Sequence, residues 1–92
     1  MNTMFPLGNV AISPGAIEVL QQANISPQSI LERHALGDWG DGLTDSDRRA
    51  NDLAVEMGGR ILSAYKVPHR GTVWVMTESD RSATTILLPS EN

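Results

Sequence analysis

Thr44 to Val67 reads TDSDRRANDLAVEMGGRILSAYKV, and the spacing of its apolar residues changes partway along. Ala50, Leu53, Ala54 and Met57 recur at i, i+3, i+4 and i+7, which lines one side of an α-helix. Thr44 is an N-capping residue type, and Asp47 stands three positions on, as in a capping box with Asp for the usual Glu. Gly58-Gly59 stops the helix. From Arg60 onward Ile61, Ser63, Tyr65 and Val67 alternate with Leu62, Ala64 and Lys66, the period of two that belongs to a strand. A capped helix that buries Ala50, Leu53, Ala54 and Met57 is therefore expected, followed by a strand over 60–67.

Toward the C-terminus the same period continues. Pro68-His69-Arg70-Gly71 has the length of a hairpin connection, and Thr72 to Thr77 (TVWVMT) is rich in β-formers. Glu78 to Ser82 is a polar turn, and Ala83 to Leu88 (ATTILL) is a further strand that Pro89 ends. Toward the N-terminus, Ser13-Pro14 and Ser26-Pro27 each read as an N-cap with proline in the first helical turn. They predict helices over 14–23, burying Ala16, Ile17, Leu20 and Ala23, and over 27–36, burying Ile30, Leu31 and Ala35. The expected architecture is a single α+β domain over 1–92, with an irregular segment at 1–12. Three N-terminal helices would pack on a C-terminal three-stranded antiparallel meander. Such a sheet has two edges, one of which a homodimer can pair.

Composition narrows the function classes. The 92 residues carry a net charge of −4, which argues against direct nucleic-acid binding, since phosphate neutralisation needs clustered Lys and Arg. No cysteine is present, which removes disulfides, thiolate catalysis and cysteine-ligated metals. The N-terminal stretch has no signal-peptide pattern and no apolar run reaches the ~20 residues of a membrane span, so a cytoplasmic protein with no membrane association is expected. The charge is uneven. No Lys or Arg precedes Arg33, and Asp38, Asp41, Asp45 and Asp47 fall within ten residues that contain no base.

Those aspartates flank Trp39 in Gly37-Asp38-Trp39-Gly40-Asp41-Gly42, a turn between two helices. Its tryptophan either covers the seam between those helices or serves as a contact hot spot beside an acidic rim. A calcium loop counted from Asp41 fails, because its sixth position is Ser46 where glycine is required. No metal and no cofactor are expected. The second polar constellation runs from Thr77 to Thr85. Within it Glu78 is a candidate general base and Arg81 an anion clamp, the division of labour of a small ribonuclease. That chemistry also needs an acid, for which His34 and His69 are the only histidines. Phosphate loops, nucleophile elbows and paired-histidine zinc motifs do not occur. Tyr65 and Trp74 lie on neighbouring strands, and alternation sends at least one of them into the core.

Arg33-His34 leading into GDWGD, then Arg60-Ile61-Leu62-Ser63-Ala64-Tyr65, then Trp74 through Pro89 (WVMTESDRSATTILLP), resemble a group of uncharacterised small plasmid- and prophage-related bacterial proteins. The resemblance carries no catalytic residues. It implies a mobile genetic element, where small acidic proteins inhibit host defence complexes of the restriction or CRISPR type. The leading expectation is a non-enzymatic protein-binding module with Asp38, Trp39, Asp41, Asp45 and Asp47 as its contact surface. Its partner would be a basic nucleic-acid-binding surface of a host nuclease complex. A small ribonuclease or toxin-like domain using Glu78, Arg81, His34 and His69 is the first alternative, and a homodimeric structural protein the second.

Overall fold

The computed structural model describes residues 3–92. In chain order it contains β1 (Asn9–Ile12), α1 (Pro14–Gln22), α2 (Pro27–Ala35), α3 (Asp45–Met57), β2 (Ile61–Val67), β3 (Gly71–Thr77) and β4 (Ala83–Leu87), with a final 3-10 turn at Pro89–Glu91. The helices begin where their caps place them. Ser13 and Ser26 Oγ accept from the backbone N–H groups of Ala16 and Ser29, each at 3.1 Å. Thr44 and Asp47 close a reciprocal capping box.

The expected helix-first, three-stranded meander is corrected by β1. The sheet has four strands in the order β1-β4-β3-β2, with β1 parallel to β4 and the other pairs antiparallel. Asn9 to Ile12 is therefore a strand, whereas the whole of 1–12 was expected to be irregular; positions 1 and 2 lie outside the described residues. The cause is long-range. Asn9 N–H donates to Ser82 O at 3.0 Å, Ser13 N–H to Ile86 O at 2.9 Å, and Thr84 Oγ1 to Leu7 O at 2.7 Å. Gly8 makes the entry possible, since at φ +66° a Cβ there would collide with the carbonyls of Arg81 and Ser82.

The helices cover one face of the sheet. Ala16, Leu20 and Ile30 pack on Tyr65, Val67, Val73, Val75 and Ile86. A second cluster of Phe5, Trp39, Ala54 and Ile61 lies beside it, with Leu7, Leu43 and Val55 against it. At ~25 cal/mol per Å² of apolar surface, burial of this kind is the main force holding so small a domain together.

Two helix faces differ from the expectation. Ile17 is 38% exposed, and α1 contributes Ala16 and Leu20 to the core instead. On α3, Leu53 is 60% and Met57 76% exposed, while Asn51 and Ala54 face inward. The reason is the free edge of β2. Asn51 Nδ2 donates to Leu62 O at 2.7 Å and Leu62 N–H donates to Asn51 Oδ1 at 3.1 Å. Pairing that edge satisfies two backbone groups and turns the leucine–methionine stripe away from the protein.

Candidate functional site

The Gly37–Gly42 turn is strapped to the same edge. Ala64 N–H donates to Trp39 O and Gly42 N–H to Ala64 O, both at 3.0 Å, and Lys66 N–H donates to Asp41 Oδ1 at 3.2 Å. Gly40, at φ +84°, must be glycine because a Cβ would strike the Ala64 carbonyl. Together with Asn51, this turn occupies all three outward positions of β2. That edge is closed to a pairing strand, so of the two edges expected for a dimer one is sealed here and the other, β4, is covered by β1.

Trp39 is 4% exposed. Its ring stacks on Phe5 at 6.2 Å and meets the edge of His34 at 6.0 Å, and Nε1 donates to Asp52 Oδ1 at 3.0 Å. It fills the seam between α2 and α3 and presents no surface for a contact. The aspartates around it have local duties. Arg33 Nε reaches Asp38 Oδ2 at 2.6 Å and holds that carboxyl below the usual carboxylate range. The Lys66 N–H does the same for Asp41, and Asp47 accepts the Thr44 N–H at 3.3 Å. Asp45 is exposed in the first turn of α3 and has no hydrogen-bond partner among the described residues. Above the turn the Arg33 guanidinium lies 4.5 Å from the Tyr65 ring centre. Tyr65 Oη donates to Asp38 O at 2.6 Å, and burial pushes its pKa up to about 12.

The four residues of the ribonuclease alternative do not meet. Arg81, at φ +62°, turns its guanidinium inward. Nη1 donates to Gly59 O at 2.6 Å, Nη2 to Ala54 O at 2.8 Å, and the group lies 5.6 Å from the Phe5 ring centre. It ties the 78–82 turn to the end of α3. Glu78 sits on the rim, 3.5 Å from Arg60. His69 is in the β2–β3 turn at the opposite end of β3, a strand of 7 residues, or roughly 23 Å at ~3.3 Å each.

His34 is fully buried, which its place near the end of α2 does not announce. Nδ1 lies 2.6 Å from Ser63 Oγ and Nε2 2.9 Å from Thr77 Oγ1, which is 2.7 Å from Thr84 Oγ1. The proton order follows from the far end. Leu7 O only accepts, so Thr84 donates to it, Thr77 donates to Thr84, and His34 Nε2–H donates to Thr77. That order fixes Nε2–H; Nδ1 accepts from the Ser63 hydroxyl when the imidazole is neutral. Burial lowers its pKa from 6.5 to about 4. This chain of bonds joins α2 to β2, β3, β4 and the segment before β1. It is closed to solvent, so it pins the layers and offers no substrate a proton.

A different surface remains. The outward side chains of β2, β3 and β4 include Leu62, Lys66, Thr72, Trp74, Met76, Thr85 and Leu87, with Ala64 on the same face but buried against Gly42. Leu62, Trp74, Met76 and Leu87 belong to neither core cluster and are half-buried beside one another. Trp74 stands in the third of the sheet's four strands, opposite Ala64 on one side and Leu87 on the other. The signal for this surface is in TVWVM, which is apolar on both strand faces where a half-solvated strand would alternate with polar residues. Asp41, held by the Lys66 backbone, and the ion pair of Arg60 with Glu78 border it. Among the described residues no group of three or more His, Cys, Asp or Glu is placed to hold a metal ion, and no helix is long and apolar enough to cross a membrane. No family model, curated protein or solved structure matches this chain.

Proposed function

We propose that this chain is a non-enzymatic, cytoplasmic protein-binding module, and that its partner seats on the open face of the sheet. The observation that carries this reading is the set Leu62, Trp74, Met76 and Leu87, four large apolar side chains outside both core clusters. An aromatic and a methionine at the centre of such a patch, with a polar rim, is the composition of an interface core. The partner is a folded protein with an apolar surface flanked by Lys or Arg: Lys66 and Arg60 also border the face, but the adjoining 37–47 stretch carries Asp38, Asp41, Asp45 and Asp47 and no base. An inhibitor of a host nuclease complex, acting for a mobile element, has that kind of target. This narrower reading rests on the sequence resemblance and on the acidic rim.

The test is affinity capture with the parent chain and two variants, Trp74→Ser and Asp41→Asn, each first shown by circular dichroism to be folded. Identified partners should be lost or strongly reduced with Trp74→Ser. They should be weakened by Asp41→Asn, and the parent complex should weaken with added salt. Equal recovery by parent and Trp74→Ser would remove the sheet face from the interface. RNA cleavage by the parent that disappears in Glu78→Gln would overturn the non-enzymatic reading.

A further inference from the structure

The second unexplained apolar surface is on α3 and points away from the protein. Leu53 and Met57 have the highest exposure of the large hydrophobic side chains described, at 60% and 76%. They continue a row with Ser46 and Ala50, also exposed, at steps of four, three and four residues. That alternation of three and four is the seam of a coiled coil, in which one residue of each turn meets the facing helix. The row lies about 100° around the helix from Asn51 and Ala54, the residues that hold α3 to the sheet.

The charges beside the row say what covers it. Arg49 and Glu56 flank it on one side, one turn N-terminal and one turn C-terminal to Leu53. Neither makes an ion pair or side-chain hydrogen bond among the described residues. They are seven residues apart, about 10 Å along the helix at ~1.5 Å per residue, too far to pair with each other. A second copy of α3 running antiparallel, with its two-fold axis at Leu53, brings Arg49 of each copy beside Glu56 of the other. Met57 of each copy then falls against the small Ala50 of its partner. The same symmetry sets the positive end of each helix dipole beside the negative end of the other. A parallel pair places Arg49 beside the inward-facing Ala54 and leaves both charges without partners.

We infer that α3 is a self-association surface on which two copies of this chain pair antiparallel through Ala50, Leu53 and Met57, with Arg49 and Glu56 exchanged between them. The seam is short, since α3 has 13 residues. It falls well under the ~1,200 Å² of total area that stable complexes bury, so the dimer is weak and depends on concentration. It uses a different surface from the sheet face and stands whether or not that face binds a partner.

Sedimentation of the full chain from about 10 μM to about 1 mM, the range of weak dissociation constants, tests this. The expected result is a reversible monomer–dimer equilibrium. Leu53→Asp, at an exposed position that leaves the fold intact by circular dichroism, should weaken it by about tenfold or more, because each copy loses a buried leucine. Arg49→Glu and Glu56→Arg should each weaken it, the doubly reversed chain should recover it, and Trp74→Ser should leave it unchanged. A monomer at every concentration, or a dimer indifferent to Leu53→Asp, would overturn the inference. Failure of the double reversal to restore association would overturn the antiparallel register. A dimer lost with Trp74→Ser and retained with Leu53→Asp would move self-association to the sheet.

Discussion

Acidification should destabilise this domain through His34 before its carboxylates contribute. In the folded chain the imidazole is neutral, with Nε2–H donated to Thr77 and Nδ1 accepting from Ser63. Protonating it adds a donor at Nδ1, where the Ser63 hydroxyl already donates, and places a charge in a site with no acid facing it among its hydrogen-bond partners. Burial is the cause of the lowered pKa, from 6.5 to about 4. Because the folded value is depressed, folded and unfolded states are both neutral above pH 6.5 and the contribution is fully present there. Between 6.5 and 4 the unfolded chain takes up a proton that the folded chain refuses, and stability falls. At ~1.4 kcal/mol per pKa unit the whole loss is about 3 kcal/mol, most of it complete by pH 4.5. For a small domain worth ~5–10 kcal/mol this is a large fraction. The carboxylates held low by local bonds (Asp38, Asp41, Asp80 and Glu91) lose their contributions at lower pH, below their ordinary values of 3.8 to 4.5. The window between pH 6.5 and 4.5 thus isolates His34. Urea unfolding followed by circular dichroism should show a midpoint lower by roughly 2 M at pH 4.5 than at pH 7.5, for an m value on the order of 1 kcal/mol/M. In His34→Gln the neutral-pH stability should be reduced and the slope across this window lost. A parent midpoint that stays flat from pH 7.5 to 4.5, or an NMR titration of His34 near 6.5, would refute the reasoning.

Other perturbations follow from the same contacts. Asn51→Ala removes both bonds to the Leu62 backbone and should cost about 2–3 kcal/mol in urea unfolding; Asn51→Asp, which keeps only the acceptor, should aggregate less than Asn51→Ala because a charge still guards the edge. Arg81→Ala should also cost about 2–3 kcal/mol by leaving the Gly59 carbonyl without its side-chain donor and the Ala54 carbonyl with only the Gly58 N–H. Glu78→Gln should change stability by less than ~1 kcal/mol, since its pair with Arg60 is exposed; a larger effect would mean that Glu78 has a role beyond that pair. The two tryptophans should separate in acrylamide quenching, with the Trp39→Phe chain, which reports Trp74, quenched clearly more than the Trp74→Phe chain. Equal quenching would contradict the open sheet face.

Where the chain speaks through neighbouring residues, the sequence was readable. The starts of α1, α2 and α3 follow from Ser13-Pro14, Ser26-Pro27 and Thr44 with Asp47, because a cap is satisfied within three residues. The β2–β3 hairpin follows from a change of period and a four-residue turn. β1 was not readable. Four residues between Gly8 and Ser13 carry too little pattern, and their partner β4 lies more than seventy positions away. The candidate site divided in the same way. Gly-Asp-Trp-Gly-Asp was legible as a turn joining two helices, but its tryptophan went inward because Phe5, from the far end of the chain, supplies a ring to stack on.

The sequence by itself determined where elements begin, which period each follows, and that neither thiol nor paired-histidine metal chemistry is present. Tertiary structure decided which face of each element looks inward. The α3 stripe of Ala50, Leu53 and Met57 has the helical spacing of a core face, yet Asn51 takes the inward place because two backbone groups on the edge of β2 need partners. Trp39 and Trp74 likewise exchange the roles their local settings suggest. A turn tryptophan closes the core and a strand tryptophan faces out, since strand alternation sets Val73 and Val75 inward. Local spacing carries the period of burial but not its phase. The phase is set by hydrogen bonds and packing between residues distant in the chain.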